Sequence, residues 1–254
     1  MTTLNGKVAL VTGGSRGIGR AIATRFLEAG CTVHVAARDG AMLQAFAGSL
    51  HVGGDRIVTH VADLSTPAGV ADLAARCGDS DILINNAGAI PAGTIESIDD
   101  ETWVEAWNLK VFGYARLIRR IIPGMYARGS GVILNIIGMA GVANDYNYVC
   151  GSAGNAALIA LTHAIGARSP DRGVRVLGIN PAGTSTERIE RLMRVQAKQK
   201  LGNAERWQEL LTDLPFGRLL APEEIANLAL FLVSDQASYL SGTVVNCDGG
   251  GLYR

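Results

Sequence analysis

The chain carries a glycine-rich loop near its start, and the spacing of the loop is suited to holding a phosphate group. Val8–Thr12 is a short apolar segment typical of a strand, and Gly13-Gly14-Ser15-Arg16-Gly17-Ile18-Gly19 follows it directly. Gly13, Gly17 and Gly19 permit a tight turn, so a pyrophosphate can approach the backbone N–H groups at the start of the next helix, where the helix dipole favours anions. The position between a strand and a helix favours a pyrophosphate site over a purely structural loop.

The elements that must position this loop follow from an alternation of two kinds of segment. Short apolar segments rich in β-branched residues indicate strands buried on both faces. They are Lys7–Thr12, Thr32–Ala36, Arg56–Val61, Asp81–Asn85, Gly131–Ile136, Val174–Ile179 and Thr243–Asn246. Amphipathic segments between them predict helices over 17–29, 40–50, 67–77, 99–127, 148–168 and 222–233. This alternation predicts right-handed crossovers and an α/β fold with a parallel, doubly wound sheet of about seven strands.

Size and composition narrow the classes of protein. A chain of 254 residues that is 48% hydrophobic predicts one domain over residues 1–254. The 23 basic and 23 acidic residues cancel, so there is no electrostatic signature of nucleic acid or anionic membrane binding. We see no secretory signal and no apolar run long enough to span a bilayer, which favours a cytoplasmic protein. The four cysteines and four histidines show no metal-binding spacing, and we predict no metal.

The glycine loop has the form Thr-Gly-x-x-x-Gly-x-Gly, and in this it resembles the short-chain dehydrogenase/reductase family. Further motifs similar to those of the family follow in order. They are Asp63-Leu64, Asn85-Asn86-Ala87-Gly88, Asn108-Leu-Lys-Val-Phe-Gly, Tyr148, Asn180-Pro181 with Thr184 and Thr186, Pro215-Phe-Gly-Arg, and Ser241-Gly-Thr with Asp248-Gly-Gly. The resemblance covers essentially the whole chain. It implies a single Rossmann domain, oxidoreductase activity with a nicotinamide dinucleotide and a small-molecule substrate, and a homotetramer.

The resemblance also implies which residues hold the dinucleotide. Asp63 and Leu64 would hold the adenine, and Thr184 and Thr186 would meet the nicotinamide end. The full set of expected cofactor contacts is Gly13, Ser15, Arg16, Gly17, Ile18, Gly19, Arg38, Asp63, Leu64, Asn86, Ala87, Gly88, Ser152, Pro181, Thr184 and Thr186.

The charges at the end of the second strand bear on the choice between NADP(H) and NAD(H). Arg38 precedes Asp39 there, and arginine favours a ribose 2′-phosphate whereas a carboxylate favours a free 2′-hydroxyl. With Arg16 in the glycine loop, Arg38 resembles the family's NADP pattern, so NADP(H) is favoured. NAD(H) stays open if Asp39 points at the ribose rather than capping the following helix.

The catalytic residues depart from the family. The resemblance makes Tyr148 the proton donor and Asn108 the support of a water chain. It also implies a lysine four residues after the tyrosine, which lowers the tyrosine pKa and binds the nicotinamide ribose, and a serine that holds the substrate carbonyl. Here Ser152 stands in place of the lysine, and Gly138 stands where the catalytic serine is expected, after Ile137. Tyr146 is a weaker candidate for the acid.

Loss of these groups weakens the tyrosine as a base. A cation about 4–5 Å from a phenolate stabilises it by roughly 3–4 kcal/mol at an effective dielectric constant near 20. We therefore expect an enzyme that reduces better than it oxidises. Ser152 and Asn155 share a helix face and could bind the ribose. Lys110, two residues after Asn108, points away from that residue on a helix and is predicted to be a surface charge.

Two alternatives stay open. The chain could be a catalytically silent dinucleotide-binding protein, or a reductase of an activated imine or alkene that does not need the tyrosine. The segment 187–214 interrupts the strand–helix rhythm with a charged, mostly helical insert, which we interpret as a substrate lid. One face of the insert is apolar and another carries Arg188, Arg191, Arg194 and Lys198, so the substrate is expected to be largely apolar.

Overall fold

The computed structural model describes residues 3–51 and 53–254, with the backbone alone at residues 188, 191, 195, 196 and 199. Its seven strands form one parallel sheet in the order β3-β2-β1-β4-β5-β6-β7. The strands are β1 Val8–Thr12, β2 Thr32–Ala37, β3 Ile57–Val61, β4 Ile82–Asn85, β5 Gly131–Ile136, β6 Val174–Pro181 and β7 Val244–Cys247. The order reverses at β1, where connections pass from one face of the sheet to the other, so the doubly wound Rossmann-like fold is confirmed.

Eight α-helices connect and flank the strands in the described chain. They are α1 Gly17–Glu28, α2 Gly40–Gly48, α3 Pro67–Cys77, α4 Asp100–Leu109, α5 Val111–Arg128, α6 Val149–Gly166, α7 Glu187–Leu201 and α8 Pro222–Val233. One sequence-based expectation is corrected. The segment predicted as one helix over 99–127 forms two helices, α4 and α5, which meet at Lys110, although the φ and ψ of Lys110 stay in the right-handed helical region.

The sheet separates two apolar layers. On one face, side chains of β1 such as Val11 pack against Phe26 of α1, Phe46 of α2 and Leu230 of α8. On the other face, Leu10 of the same strand packs among side chains of α3 and α5. Neighbouring residues of β1 therefore point to opposite layers, as strand geometry requires. This explains why the strands are apolar throughout.

A buried polar chain fixes α6 against the sheet. The Asn85 side-chain amide donates to Asn135 Oδ1 at 2.9 Å, and Asn135 Nδ2 donates to Thr162 Oγ1 at 2.9 Å. Thr162 in turn donates to the Leu158 carbonyl within its own helix. Because a buried polar group without a partner is costly, this chain allows one register of α6 against β4 and β5. It thereby sets where the start of α6 meets the carboxyl edge of the sheet.

Helix α6 is apolar enough by length and composition to cross a membrane, and it is the one described helix that is. Its position explains this composition, since it packs against β6 and α5 inside the domain. Ser152, Asn155 and Thr162 on the same helix are buried. Helix α6 is thus a core helix of an α/β domain.

Three potential metal ligands, distant in sequence, meet between β2, β3 and α3. Nδ1 of His34 lies 2.9 Å from Nε2 of His60, and Cys77 Sγ lies 3.4 and 3.5 Å from these two nitrogens. Arg76 Nη1 lies 3.2 Å from Nδ1 of His60. A guanidinium can only donate, so Nδ1 of His60 accepts and its Nε2 carries the hydrogen that points at His34. The cluster is therefore a hydrogen-bonded chain from Arg76 through His60 to His34, which sequence spacing did not reveal.

Candidate active site

The glycine loop is locked to the end of β4 by Thr12. The Thr12 hydroxyl accepts hydrogen bonds from the backbone N–H groups of Asn86 and Ala87, at 2.9 and 3.1 Å, and donates to the Ile84 carbonyl at 3.1 Å. The Asn86 side-chain amide donates to the carbonyls of Thr12 and Gly13 at 3.0 and 3.1 Å. The sequence analysis missed Thr12 as a site residue, although its place directly before the glycines was the available signal.

Two glycines of the loop are required by close approach. A Cβ at Gly13, which has φ +63°, would lie 2.9 Å from Ala87 Cα. A Cβ at Gly19 would lie 2.4 Å from the Gly13 carbonyl oxygen. The loop therefore runs tightly into α1 and leaves its outer side open for a pyrophosphate at the helix start, where unpaired N–H groups gather. Ser15, Arg16, Gly17 and Ile18 complete this turn.

The charges at the ends of β2 and β3 have distinct roles. The Asp39 side chain caps α2 by accepting from the Met42 N–H at 3.0 Å, so its carboxylate is engaged with the helix. Arg38 is exposed at the end of β2. Partial burial would raise the pKa of the Asp63 carboxyl, but two hydrogen bonds from Ser65 and the charge of Arg38 outweigh it and hold that pKa below its usual value. Leu64 is buried in the core, so only its backbone can face an adenine.

Tyr148 stands at the N-terminus of α6, and its ring folds over the first turn of that helix. A Cβ at Gly151 would lie only 2.0 Å from Cε1 and 2.2 Å from Cζ of the Tyr148 ring. The half-buried Tyr148 also packs against the buried cluster of Ile90, Ala106 and Cys150. Because Ile90 follows Gly88 closely, the tyrosine lies beside the loop after β4, which the sequence analysis expects to line the cofactor.

Tyr146 is held in a different place. Its hydroxyl donates to the carboxylate of Glu96 at 3.0 Å, and its side chain is 62% exposed. The preference for Tyr148 over Tyr146 as the acid is thus supported by position.

The Ser152 hydroxyl is engaged with the loop before Tyr148. It accepts from the Asp145 N–H at 3.1 Å and lies 3.5 Å from the Asp145 carbonyl. The residue is buried, so its hydroxyl holds this loop against α6. The ribose contact of Ser152 stays a prediction.

Asn108 and Lys110 direct their side chains to different parts of the carboxyl edge of the sheet. Asn108 Oδ1 accepts from Arg116 Nη2 at 3.1 Å, and Arg116 Nη1 bonds the Ser65 carbonyl, so the Asn108 amide is turned toward the end of β3. Lys110 instead donates from Nζ to the Ile137 carbonyl at 2.6 Å, at the end of β5. The expectation that Lys110 is a surface charge is wrong, whereas the expectation that Asn108 supports a water chain stays a prediction.

The stem of Lys110 crosses the loop after β4. A Cβ at Gly88 would lie 2.9 Å from Cδ and 3.1 Å from Cγ of Lys110. Lysine stems commonly cover apolar or backbone surface while the ammonium reaches a polar group. Gly88 is therefore needed for the lysine to reach β5.

Gly138 lies directly beside the Asn155 side chain. Gly138 has φ +137°, a conformation that residues with a Cβ rarely adopt, and a Cβ there would lie 3.0 Å from Asn155 Nδ2. Asn155 is 3% exposed, and its Oδ1 has no hydrogen-bond partner among the described residues. A buried amide oxygen of this kind invites a donor, from the protein or from a ligand.

Thr186, the residue before the insert, approaches the glycine loop. Thr186 caps α7 by accepting from the Ile189 N–H at 3.4 Å, and its methyl group would lie 3.3 Å from a Cβ at Gly17. Thr184 is buried and bonds the Ala182 carbonyl, and Pro181 ends β6. Arg194 pairs with Glu190 and Glu205, which ties α7 to the turn after it. The side chains of Arg188 and Arg191 lie outside the described residues.

Known proteins are similar to this chain in sequence and in fold. Residues 7–196 match the family model described as short chain dehydrogenase. The 2-keto-3-deoxy-L-fuconate dehydrogenase of Xanthomonas campestris is 35% identical over 98% of this chain and 81% of its own length. The crystal structure of L-sorbose reductase from Gluconobacter frateurii, complexed with NADPH and L-sorbose, has a TM-score of 0.92 and 32% identity, covering 100% of this chain and 99% of that one.

A third relative was solved with the other nicotinamide cofactor. The 3-ketoacyl-(acyl-carrier-protein) reductase from Brucella melitensis, complexed with NADH, has a TM-score of 0.84 and 30% identity over 98% of this chain and 99% of that one. Proteins of similar fold and sequence thus include both NADPH and NADH complexes.

Proposed function

Because the chain belongs to the short-chain dehydrogenase family and is an NAD(P)-dependent oxidoreductase, we propose that it reduces a ketone or aldehyde with NADPH. Tyr148 is the proton donor in this proposal. The carrying observation is the glycine loop, locked by Thr12 to the loop after β4, beside which Tyr148 lies.

The residues present fit a dinucleotide. Gly13 and Gly19 have no room for a Cβ, so the backbone forms a close cradle at the start of α1. This cradle would hold the pyrophosphate, Asp63 and the Leu64 backbone the adenine, and Ala87 with Gly88 the nicotinamide side. Pro181, Thr184 and Thr186 would border the nicotinamide end.

The preference for NADP(H) is supported by the engagement of Asp39. Its carboxylate caps α2, so a repulsive charge is drawn away from a 2′-phosphate. Arg38 and Arg16 are exposed at the same end of the sheet and make no hydrogen bond to another described side chain. Guanidinium groups suit a phosphate dianion because they offer paired donors.

The chemistry divides between cofactor and protein. When bound, the dinucleotide supplies the hydride that reaches the carbonyl carbon. The phenol of Tyr148 holds the proton that moves to the carbonyl oxygen, and a neutral phenol suits this donation near neutral pH.

Four further properties of the protein belong to the proposed function. We expect a small, largely apolar substrate under the insert at 187–214, preference for reduction, a cytoplasmic location and a homotetramer. The apolar expectation has some support in Ile189 and Met193, which are half-buried on α7. The relatives that act on or bind L-sorbose and 2-keto-3-deoxy-L-fuconate make polyhydroxy ketones the competing class.

A turnover screen tests the proposal. Purified protein would be assayed for NADPH and NADH oxidation with L-sorbose, a 3-ketoacyl thioester, an apolar cyclic ketone, an imine and an activated alkene, alongside calorimetric binding of each cofactor. NADPH-dependent reduction of a carbonyl that falls about 100-fold or more in Tyr148→Phe supports it. Tight cofactor binding with no turnover of any substrate would instead favour the silent dinucleotide-binding protein.

The imine or alkene reductase is kept as a second candidate because of the Tyr148 ring. Its packing on Gly151 and with the Trp103 and Trp107 cluster is also what a structural tyrosine would show. Turnover of an imine or alkene at an unchanged rate in Tyr148→Phe would select this candidate.

A further inference from the structure

Lys110 occupies the single residue between α4 and α5, at the carboxyl edge of the sheet. It ends α4 and precedes α5 with φ −88° and ψ −58°, and its ammonium reaches the Ile137 carbonyl at 2.6 Å. Its stem lies on Gly88. The ammonium is therefore held between the loop after β4 and the end of β5, where ligands bind in open α/β sheets.

The other lysines of the chain lie elsewhere. The sequence contains four, and Lys7 pairs with Asp81 at the opposite edge of the sheet. Lys198 and Lys200 are exposed in the last turn of α7. Lys110 is thus the lysine whose ammonium the structure directs to the strand ends near Tyr148.

Two contacts bring Lys110 and the start of α6 to the same loop. The Lys110 stem covers Gly88, while Tyr148 packs against the buried cluster that contains Ile90, two residues further along. A Cβ at Gly154 of α6 would lie 3.1 Å from Val111, the residue after Lys110. Helix α6 and the Lys110 junction therefore pack directly against each other.

Asn155 provides an independent sign of a functional polar site. Its buried Oδ1 lacks a described donor, and its Nδ2 borders Gly138, the residue after the Ile137 carbonyl that Lys110 bonds. An ammonium has three N–H donors, so Lys110 can serve Ile137 and a further acceptor. Lys110 and Asn155 thus contact two consecutive residues, Ile137 and Gly138, just after β5.

We propose that Lys110 supplies, from the α4–α5 junction, the positive charge that acts through the Tyr148 phenol in place of a lysine on α6. This rests on the proposed function. As a positioning residue, Lys110 stabilises the phenolate that remains when the Tyr148 O–H bond breaks and the proton bonds to the substrate oxygen. A proton from water then restores the phenol, and the ammonium keeps its charge throughout.

A charge delivered by a different element lets Ser152 serve the Asp145 loop instead. Oxidation needs Tyr148 as a base, whereas reduction needs it as an acid, so removal of the charge should harm oxidation more.

A titration of Tyr148 without cofactor tests the inference independently of turnover. The ultraviolet difference between the protein and its Tyr148→Phe variant, followed against pH, reports the ionisation of that phenol. In Lys110→Gln, which keeps a donor for Ile137 but not the charge, we expect the Tyr148 midpoint to rise by about one pH unit or more. In Lys110→Arg the midpoint should stay nearer that of the parent.

Lys7→Met is the matched control and should leave the Tyr148 midpoint where it is. Circular dichroism would confirm that each variant is folded. An unchanged midpoint in Lys110→Gln would overturn the inference, as would equal displacement in the Gln and Arg variants. The proposed function has a separate failure, the absence of turnover in the parent, which leaves this titration readable.

Where turnover is found, the pH profile gives a second readout. The acidic limb of kcat/KM for alcohol oxidation should move to higher pH in Lys110→Gln, with a loss of about 10-fold or more at neutral pH. A uniform loss in both directions with no displacement of the profile would indicate a merely structural lysine.

Discussion

The ring of Tyr148 depends on a residue that has no side chain. Because a Cβ at Gly151 would overlap the ring at about 2 Å, Gly151→Ala must turn the ring away from its present position. Alanine favours a helix over glycine by about 1 kcal/mol, so the fold should not suffer. We expect kcat to fall about 10-fold, the value of one catalytic hydrogen bond misplaced, with thermal stability held or raised.

Steady-state kinetics and a thermal melt check this. Gly48→Ala is the matched control, since a Cβ there meets nothing within 4 Å. A wild-type kcat in Gly151→Ala would show that the ring position does not matter to the reaction.

Arg38 is the residue on which the cofactor preference depends most directly. In Arg38→Ala, a phosphate would lose a charge-assisted bond of about 1.5–3 kcal/mol, so kcat/KM for NADPH should fall roughly 10- to 100-fold. The value for NADH should change little, because a 2′-hydroxyl does not use that charge. Kinetics with both cofactors measure the ratio, and Arg168→Ala, at an exposed position after α6, is the control. An unchanged NADPH to NADH ratio would count against the assignment.

At the scale of elements, the junction between α4 and α5 sets the direction of the Lys110 side chain, which could not be predicted from the sequence. The strands and the glycine loop follow local rules of periodicity and turn chemistry, and they were predicted within a residue or two. The segment 99–127 has no proline or glycine at residue 110, so nothing local marks a break there. The side chains of Asn108 and Lys110 point apart, as expected. The contact of Lys110 with Gly88 shows that Lys110 is the one directed to the loop after β4.

The hydrogen bonds of the Ser152 hydroxyl could not be predicted from the sequence for the same reason. Its hydroxyl bonds the backbone of Asp145, seven residues earlier, and that contact exists only because the loop folds back over α6. Family resemblance assigns roles by position, whereas hydrogen-bond partners depend on the path of the neighbouring loop.

The histidine pair joining β2 and β3 makes stability depend on pH. Burial, as the main cause, lowers the pKa of both His34 and His60 below the usual value of about 6.5. Below that pH the histidines of the unfolded chain bind protons more readily than those of the folded pair. The contribution of the pair to the free energy of unfolding is therefore fully present above about pH 6.5 and is lost as the pH falls. Protonation would also place a hydrogen on Nδ1 of His34, facing the N–H of His60.

Urea unfolding at steps between about pH 7 and 5 measures this loss. In His34→Gln one titrating group is gone while the amide oxygen can still accept from His60, so stability should fall less steeply over this range. His163→Gln, at an exposed helix position, should keep the slope of the parent. Equal slopes in all three proteins would contradict the role of the pair.

At the scale of the whole molecule, α6 presents an apolar outer face that is exposed to solvent in the single chain. Ala153, Ala156 and Ala160 are exposed on it at helical spacing, and Phe112 and Val104 are 44% and 55% exposed on the neighbouring helices. Small side chains let another helix approach closely, and a surface of this kind suits an isologous contact with a second copy of the chain.

A substitution on this face therefore tests the expected homo-oligomer without changing an active-site residue. In Ala156→Arg, a charge and a long side chain enter the centre of this face, so the molar mass measured by sedimentation or light scattering should fall to that of a smaller species. Ala45→Arg makes the same change on exposed α2, on the other side of the sheet, and should keep the parent mass. If the parent is already monomeric, or if Ala156→Arg keeps its mass, α6 is not the contact face. Since α6 also carries Tyr148 and Asn155 at its inner side, loss of the contact should lower thermal stability and turnover together.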